Sequence, residues 1–594
     1  MKNNKIDRLI IAVFAAGYAI FSVYVMTELP FLTWFDEIPL VEKYYSNSLT
    51  IKDMMNTYGE AGMLGTNILF ILNTVLLGMQ TRFEVFLNVV NVTIVGLICA
   101  NYTKTIIKHK RICLVSLFMV SFFAFDILQG SSGGMDTQVR LGLMFCILAF
   151  YYVDKVLNCK TDEEHGRLLL VAIIFIVLSF NVFGTLYSFA AIPAVFGIIL
   201  AKYIRKKCKK SDLSIAFLYC LCPVVYFFQY ELLGKGAANS SLLSTSIAVL
   251  KNPIYIIKSL LYYFGSFVLG YPPMADHTIS SIAYMLIGLV IVVISLVAIL
   301  TYFRTEQYKE CVFPLLMFSY SFFVWFLVSI GRYETASGDG AWMANNWYTV
   351  HTKCATIALV IILGKALDLE SNKKIDFLKI SILAMFVLGI YGIYTEIMRA
   401  PYERLWYLNM QPYLFVENKD ELPVDKNGMT PLMHTKEVTW DSIETMRKYH
   451  LSIYRYSDSY EKMRAPILII SGIDDDCWVG KEAQIRIRTD DRESVFHLKG
   501  TYPKYKNDGE MITIKMDEEI IAKYVLTSEI IEFDIPFESN INKTLTIEPN
   551  FMIKADPPDT RDLSFVILDM DIKSDSQYDR DETEEIWALE NNAA

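Results

Sequence analysis

The chain has 594 residues, of which 53% are hydrophobic, 14% aromatic and 20% charged, and its formal net charge is −9. The charges fall in short islands between apolar runs of about 17–25 residues, the length a helix needs to cross a bilayer. This pattern excludes an ordinary soluble globular protein and indicates a polytopic membrane protein; nothing in the chain suggests a nucleic-acid partner. The net charge hides an asymmetry, because residues 1–400 carry 32 Lys and Arg against 25 Asp and Glu, whereas residues 401–594 carry 23 against 39. Two surroundings are implied, a bilayer and then water.

Taken in chain order, the first apolar run extends from Leu9 to Val25 behind Lys2, Lys5 and Arg8. It lacks a small-residue cleavage site and is expected to stay as an anchor. Asp36 and Glu37 stand where the chain first leaves the membrane, flanked by Phe31, Trp34, Phe35, Ile38 and Pro39. Eleven spans are predicted, at 9–28, 83–101, 112–128, 139–154, 167–180, 185–201, 213–230, 279–303, 312–330, 348–366 and 376–396. The run 63–79 is apolar enough to suggest another, and the positive-inside rule decides against it. If it crossed, Lys104, Lys108, Lys110 and Arg111, and the basic run 205–210, would lie outside. If it lies along or dips into the outer face, both clusters fall inside with Lys155, Lys160, Arg304, Lys373 and Lys374. The expected arrangement is a multi-pass plasma-membrane protein with a cytoplasmic amino terminus and an extracytoplasmic carboxy-terminal part. The stretch 254–269, interrupted by Lys258 and Gly265, reads as a helix at the outer interface or as a further span.

After the transmembrane domain at 1–400, residues 401–461 read as a connector with one helix near Asp441 to His450. From residue 462 the texture changes to short alternating segments at 467–470, 483–488, 494–498, 511–516, 530–535, 544–547 and 563–572. Period-two alternation punctuated by Gly, Pro, Asn and Asp predicts an extracytoplasmic all-β sandwich, jelly-roll-like, over 462–578. An acidic tail follows at 579–594. Of the ten cysteines only Cys477 falls in this external part, so the sandwich is expected to hold together without a disulfide framework. Asp474, Asp475 and Asp476 lack the spacing of a calcium loop and read as a polar turn.

A carboxylate pair at the outer membrane surface can take a proton from a hydroxyl, hold a divalent cation through oxygen ligands, or solvate a loop. The aromatic and apolar flanks of Asp36 and Glu37 make an idle charge costly, which favours a cleft. The sequence from the first span through FDEIPLVEKYYSNSLTIKDMM, GTNILFILNTVLLG and TRFEVFLNVVNVTIVGLICA runs into a basic loop. Downstream come Asp136-Thr137-Gln138-Val139-Arg140, FGTLYSFAAIPAVFG at 183–197, and Gly331-Arg332 ahead of Tyr348. This order resembles the bacterial GT-C type glycosyltransferases, integral membrane enzymes that draw sugar from a polyprenyl-phosphate donor, over most of residues 8–400. Trp478 to Ala483 and Asp556 to Phe565 are similar to β-sandwich modules appended to some of these enzymes.

The resemblance implies an inverting transferase that moves a monosaccharide from a polyprenyl-phosphate sugar to a cell-surface or cell-wall glycan. Asp36 matches the family's catalytic acid, with Glu37 orienting it or sharing a cation such as Mg or Mn. Where relatives have Arg-Tyr opening the tenth span, this chain has Trp347-Tyr348, so donor phosphate falls to Arg332, Arg140, His351 or Lys353, with Tyr348 beside them. Arg332 is the first choice, since its planar fork suits phosphate oxygens, although an arginine at a helix end also snorkels. Gln138 is carried over as a substrate contact. Tyr44, Tyr45, Trp342, Trp347 and Tyr348 could stack on sugar faces or belong to an interfacial aromatic belt. Two other readings stay open. A lipid-linked saccharide flippase or transporter would place charges deep within several spans, whereas here Asp126 and Glu396 sit near span ends. A non-catalytic glycan-binding membrane protein would leave Asp36 idle and work through the sandwich.

Overall fold

The computed structural model describes residues 38–574 and six positions between 9 and 20, outside 118–133, 205–209, 230–241, 271–278, 334–339, 369–377, 395–412, 456–466, 490–493, 555–561 and some shorter stretches. The chain divides into two compact units, Met1–Arg404 and Leu405–Ala594. In the first, helices α1 (Ile38–Tyr45) and α2 (Ile51–Met54) precede a small hairpin of β1 (Thr57–Tyr58) and β2 (Ala61–Gly62). There follow α3 (Leu64–Leu77), α4 (Thr81–Ile106), α5 (Gly134–Asn158), α6 (Asp162–Val177), α7 (Ala191–Ile204), α8 (Lys210–Phe227) and α9 (Leu242–Leu250). The unit continues with α10 (Pro253–Leu269), α11 (Ser281–Arg304), α12 (Phe313–Gly331), α13 (Asn346–Leu367) and α14 (Leu378–Gly392).

Among the described residues seven stretches are long and apolar enough to cross a bilayer: Phe86–Ile106, Thr137–Asn158, Glu164–Val182, Leu186–Ile204, Ser281–Arg304, Phe313–Gly331 and Tyr348–Leu367. The expected spans at 213–230 and 376–396 appear as the shorter apolar helices α8 and α14, and 254–269 as α10. Those expected at 9–28 and 112–128 fall largely outside the described residues. The helices differ in what surrounds them. The most apolar window of α13 is 94% buried and that of α11 only 33%, so α13 is a central helix and α11 a peripheral one. The outward face of α11, with Leu286, Leu289, Val293, Leu296 and Leu300, is what a helix presents to lipid.

Helix α3 is turned inside out relative to a helix in water. Its buried side holds Thr66, Asn67, Asn73 and Thr74, while Ile68, Leu72, Val75 and Leu76 are exposed, the pattern of a helix lying in hydrocarbon. Fourteen residues give a length of about 21 Å, short of the roughly 30 Å of a bilayer core. Thr66 of α3 bonds Gln138 and Asn88 of α4 bonds Thr137. The chain therefore leaves that level of α5 along α3 and returns to it along α4, without passing to the far end of the unit.

Contacts gather the basic segments at that far end. Lys108 N–H donates to the Asp368 carboxylate (2.6 Å) and Lys365 Nζ to the Ile106 carbonyl (3.0 Å). Lys202 pairs with buried Asp212 at 2.9 Å, bracketing the basic run 205–210. Phe313, at the start of α12, packs on both Tyr102 and Tyr151. One turn on from Tyr151, Asp154 accepts the Val312 N–H at 2.7 Å and so caps α12,.

The second unit opens with α15 (Lys436–Lys448). Arg447 lies over the rings of Trp440 and Tyr454 and donates to the Leu414 and Val416 carbonyls, so the expected connector is packed structure. There follow β3 (Ile467–Ile473), β4 (Val479–Arg488), β5 (Ser494–Thr501), β6 (Met511–Met516), β7 (Glu519–Val525), β8 (Ile530–Phe537), β9 (Asn542–Pro549), β10 (Ile553–Lys554), β11 (Asp562–Leu563) and β12 (Val566–Ser574). They pair antiparallel, five in the order β3-β4-β9-β6-β7, three in the order β12-β5-β8, and β10 with β11. Strands β5 and β8 alternate between buried and open positions. Phe496, Leu498, Ile531 and Phe533 of the smaller sheet share one apolar core with Ile485, Ile514 and Ile547 of the larger. Strand β7, a sheet edge, was not expected: its first three residues are all exposed and only Ala522 and Tyr524 turn toward the core.

Because this unit has a core of its own, a fragment spanning 405–574 should unfold cooperatively and give a β-rich circular dichroism spectrum. A melt without a transition would contradict a self-contained core.

Candidate functional site

The first turn of α5 carries the junction that organises one end of the helical unit. Gln138 is fully buried. Its Oε1 accepts from Thr66 N–H (3.1 Å) and Thr66 Oγ1 (2.6 Å), and its Nε2 donates to the carbonyls of Gly62, Val182 (3.3 Å) and Gly184 (3.3 Å). The last two belong to the turn that follows α6, where the helix widens into a π turn over Leu178–Val182. Glycine lets the turn approach. A Cβ on Gly142 would sit 2.3 Å from the Phe183 carbonyl oxygen and one on Gly65 2.5 Å from the Phe183 ring. Gln138, expected at a substrate, has both ends of its amide committed to the fold.

Past this turn a 3-10 segment, Leu186–Ala190, sets Tyr187 against α13, its ring 4.6 Å from His351 and 6.3 Å from Tyr348. His351 Nδ1 lies 3.0 Å from Tyr320 Oη, and its carbonyl accepts from Ser321 Oγ at 2.8 Å. The Lys353 ammonium donates to the Ser266 carbonyl at 3.1 Å, and Thr356 Oγ1 to that of Phe267 at 2.7 Å. Here α10 ends among buried residues, at Gly270 with φ 69°. Its last carbonyls need donors, and a cation suits the negative end of a helix. Arg140 lines a small cavity with Asn91 and Val350. Arg140, Tyr348 and Lys353, with His351, thus come together around the first turns of α13, all of them buried. Arg332 closes α12 as its C-cap, its N–H on the Val328 carbonyl at 2.9 Å. Beside it the Tyr333 ring meets Tyr255 edge-on and its hydroxyl accepts from Asn252 Nδ2 (3.3 Å). Tyr187, Tyr320 and Ser266 were not singled out in the sequence, where their partners are ring faces and backbone carbonyls that leave no spacing signal.

Asp36 and Glu37 lie outside the described residues, as do the side chains of Trp342 and Trp347. The chain directly after the pair is in place. Helix α1 starts at Ile38, buries Leu40 and Val41, packs on α3 and carries Tyr44 and Tyr45 as an edge-on pair (5.2 Å). Lys43 forms an ion pair with Asp53 of α2, which also closes a capping box with Thr50. Asn67 of α3 donates to the Met54 carbonyl at 3.1 Å. The segment following the two carboxylates is therefore pinned to α3 and, through Thr66, to Gln138. Among the described residues no three His, Cys, Asp or Glu side chains gather as a metal site. No known protein family matches the chain, and no curated protein matches it significantly.

Burial raises the Asp53 carboxyl, but the hydrogen bonds from Lys43 and Thr50 outweigh that and hold it at about 2, below an unfolded value of about 3.9. A depressed carboxyl stabilises fully above its unfolded value and loses that contribution as pH falls through its folded value. Cleavage of the 45–55 segment by an acid-active protease should therefore rise between pH 4 and pH 2. In Asp53→Asn cleavage should already be raised about fivefold at pH 7, for a loss of about 1 kcal/mol after solvent screening, with little further change on acidification. Equal protection of both proteins across this range would contradict the pinning.

Proposed function

We propose that the protein is an inverting membrane glycosyltransferase of the GT-C type. It would transfer a monosaccharide from a polyprenyl-phosphate sugar to a hydroxyl of a cell-surface or cell-wall glycan. The observation that carries this reading is the docking of α1, which begins at the residue after Glu37, on α3 and thereby on the Gln138 junction. That docking sets the segment that follows the paired carboxylates of the first loop at the end of the helical unit where Arg140, Tyr348 and His351 gather. The basic segments lie at the other end, which the positive-inside rule reads as cytoplasmic, so the chemistry faces outward. The antiparallel sheets then form an extracytoplasmic sandwich of jelly-roll type that gathers acceptor glycan near the membrane.

In this mechanism Asp36 takes the proton of the acceptor hydroxyl as its oxygen attacks the anomeric carbon. The new glycosidic C–O bond forms as the bond from that carbon to the phosphate oxygen breaks. The lipid phosphate leaves with the electron pair, and Arg332 offsets its charge. Glu37 orients Asp36 or holds a divalent cation with it. Arg140 and Lys353 are set deeper, Lys353 as the cap of α10.

A lipid-linked saccharide transporter is the second reading, favoured by the burial of Arg140, His351 and Lys353 within candidate spans,. Against it, Lys353 caps α10 and Asp154 caps α12, so two of the internal charges serve helix ends.

The test is transfer by purified protein in detergent with lipid-linked sugar and acceptor. Asp36→Asn should slow transfer by about 10²–10⁴ with the protein folded and still binding donor, and Arg332→Lys should weaken donor use with acceptor affinity little changed. Near-normal turnover in Asp36→Asn/Glu37→Gln would overturn the mechanism, and movement of lipid-linked sugar across liposomes without transfer would replace it by the transporter.

A further inference from the structure

The last turns of α5 gather an ammonium and two phenols at the basic end of the helical unit. Lys155 Nζ stands 4.4 Å from the centre of the Tyr151 ring and 5.7 Å from that of Tyr152. Spacings of four and three residues along a helix put the lysine over both rings. Lys155 is exposed and the two tyrosines are half-buried. Among the described residues Lys155 has no carboxylate within ion-pair range, and neither phenolic hydroxyl has a hydrogen-bond partner. The adjacent Asp154 is buried and turned inward, accepting from the Val312 N–H and from Asn158 Nδ2 at 3.0 Å. Glu164 of α6 takes the Cys159 thiol at 3.8 Å.

An apolar seam runs from this point along α5 and α6. The Tyr152 ring stacks on Phe175 of α6 (5.5 Å), which stacks in turn on Phe145 of α5 (6.1 Å). Beside them Leu170 and Ile174 are exposed, and the candidate span that holds them, Glu164–Val182, is only 28% buried, so the seam faces hydrocarbon. A cation and two phenols at the mouth of such a seam fit an amphiphile with an anionic head. A phosphate head suits them, because its several oxygens accept from the ammonium and the hydroxyls at once. The exposed Lys104 and Lys108 at the end of the neighbouring α4 select for net negative charge, since they would face the ammonium of a zwitterionic head. At a rise of about 1.5 Å per residue Lys155 lies about 26 Å along α5 from Gln138, so the site is apart from any donor-phosphate contact.

We propose that this crevice binds an anionic phospholipid of the leaflet at the basic end of the helical unit. The lipid phosphate is held by Lys155 and the Tyr151 and Tyr152 hydroxyls, and an acyl chain lies along the Tyr152–Phe175–Phe145 seam. The site is independent of the transfer reaction and needs neither Asp36 nor Arg332.

The test is thermal unfolding and native mass spectrometry of the full-length protein in detergent, with added phosphatidylglycerol, phosphatidylcholine of the same acyl chains, or glycerol 3-phosphate. Phosphatidylglycerol should raise the midpoint by a few degrees and then level off, and should stay bound in the mass spectrum, whereas the other two should do neither. Lys155→Gln, a change at an exposed position, should weaken phosphatidylglycerol binding about fivefold, the share of one lysine near a charged leaflet. Tyr151→Phe/Tyr152→Phe, which keeps both rings and removes only the hydroxyls, should weaken it severalfold. Arg304→Gln, which removes an exposed charge at the end of α11, should leave binding unchanged. Equal effects of the two phospholipids, an equal loss in Arg304→Gln and Lys155→Gln, or a midpoint raised as much by glycerol 3-phosphate would each overturn the proposal: the first would show ordinary solvation by lipid, the second a diffuse field without a local site, and the third a site for soluble phosphate.

Discussion

The amide of Gln138 is the interaction on which the rest of the helical unit depends. In hydrocarbon an unmade polar group costs several kcal/mol, so a glutamine buried there must find partners or exclude the fold. Its five hydrogen bonds go to two separate stretches of chain, the β2–α3 junction and the turn between α6 and α7, and tie both to α5, which carries it. Satisfying one side chain therefore fixes three segments against each other. The glycines at 65 and 142 make the approach possible by admitting Phe183. From that geometry the 3-10 segment delivers Tyr187 to His351, and α3 receives α1.

Around α13 the same rule explains the internal charges. A helix that ends inside a bundle leaves carbonyls or amides without water, and long polar side chains from neighbouring helices supply what is missing. Lys353 and Thr356 serve the end of α10, and Asp154 serves the start of α12. Buried ionisable residues in a membrane protein are a default pointer to function, but these have a structural occupation that can be named. His351 is wedged between Tyr187 and Tyr320, and Arg140 stands beside the small cavity.

Legibility in the sequence followed the physics of each element. Long apolar runs are visible because hydrocarbon demands them. The expected spans at 213–230 and 376–396 correspond to the apolar helices α8 and α14. Strands β5 and β8 showed through their alternation, and β7 stayed hidden because, as an edge strand, it sets only Ala522 and Tyr524 toward the core. Within the site, the backbone partners of Gln138 and Lys353 were not legible, because carbonyl acceptors leave no sequence pattern.

Hydrogen–deuterium exchange of the full-length protein in lipid nanodiscs, wild type beside Gln138→Leu, tests the central claim most directly. With the amide gone, residues 57–70 and residues 178–190, remote in sequence, should lose protection together while β4, β5 and β8 of the second unit keep theirs. Loss confined to the first turn of α5, with both remote segments as protected as before, would contradict the claim that this one side chain holds the three segments in place.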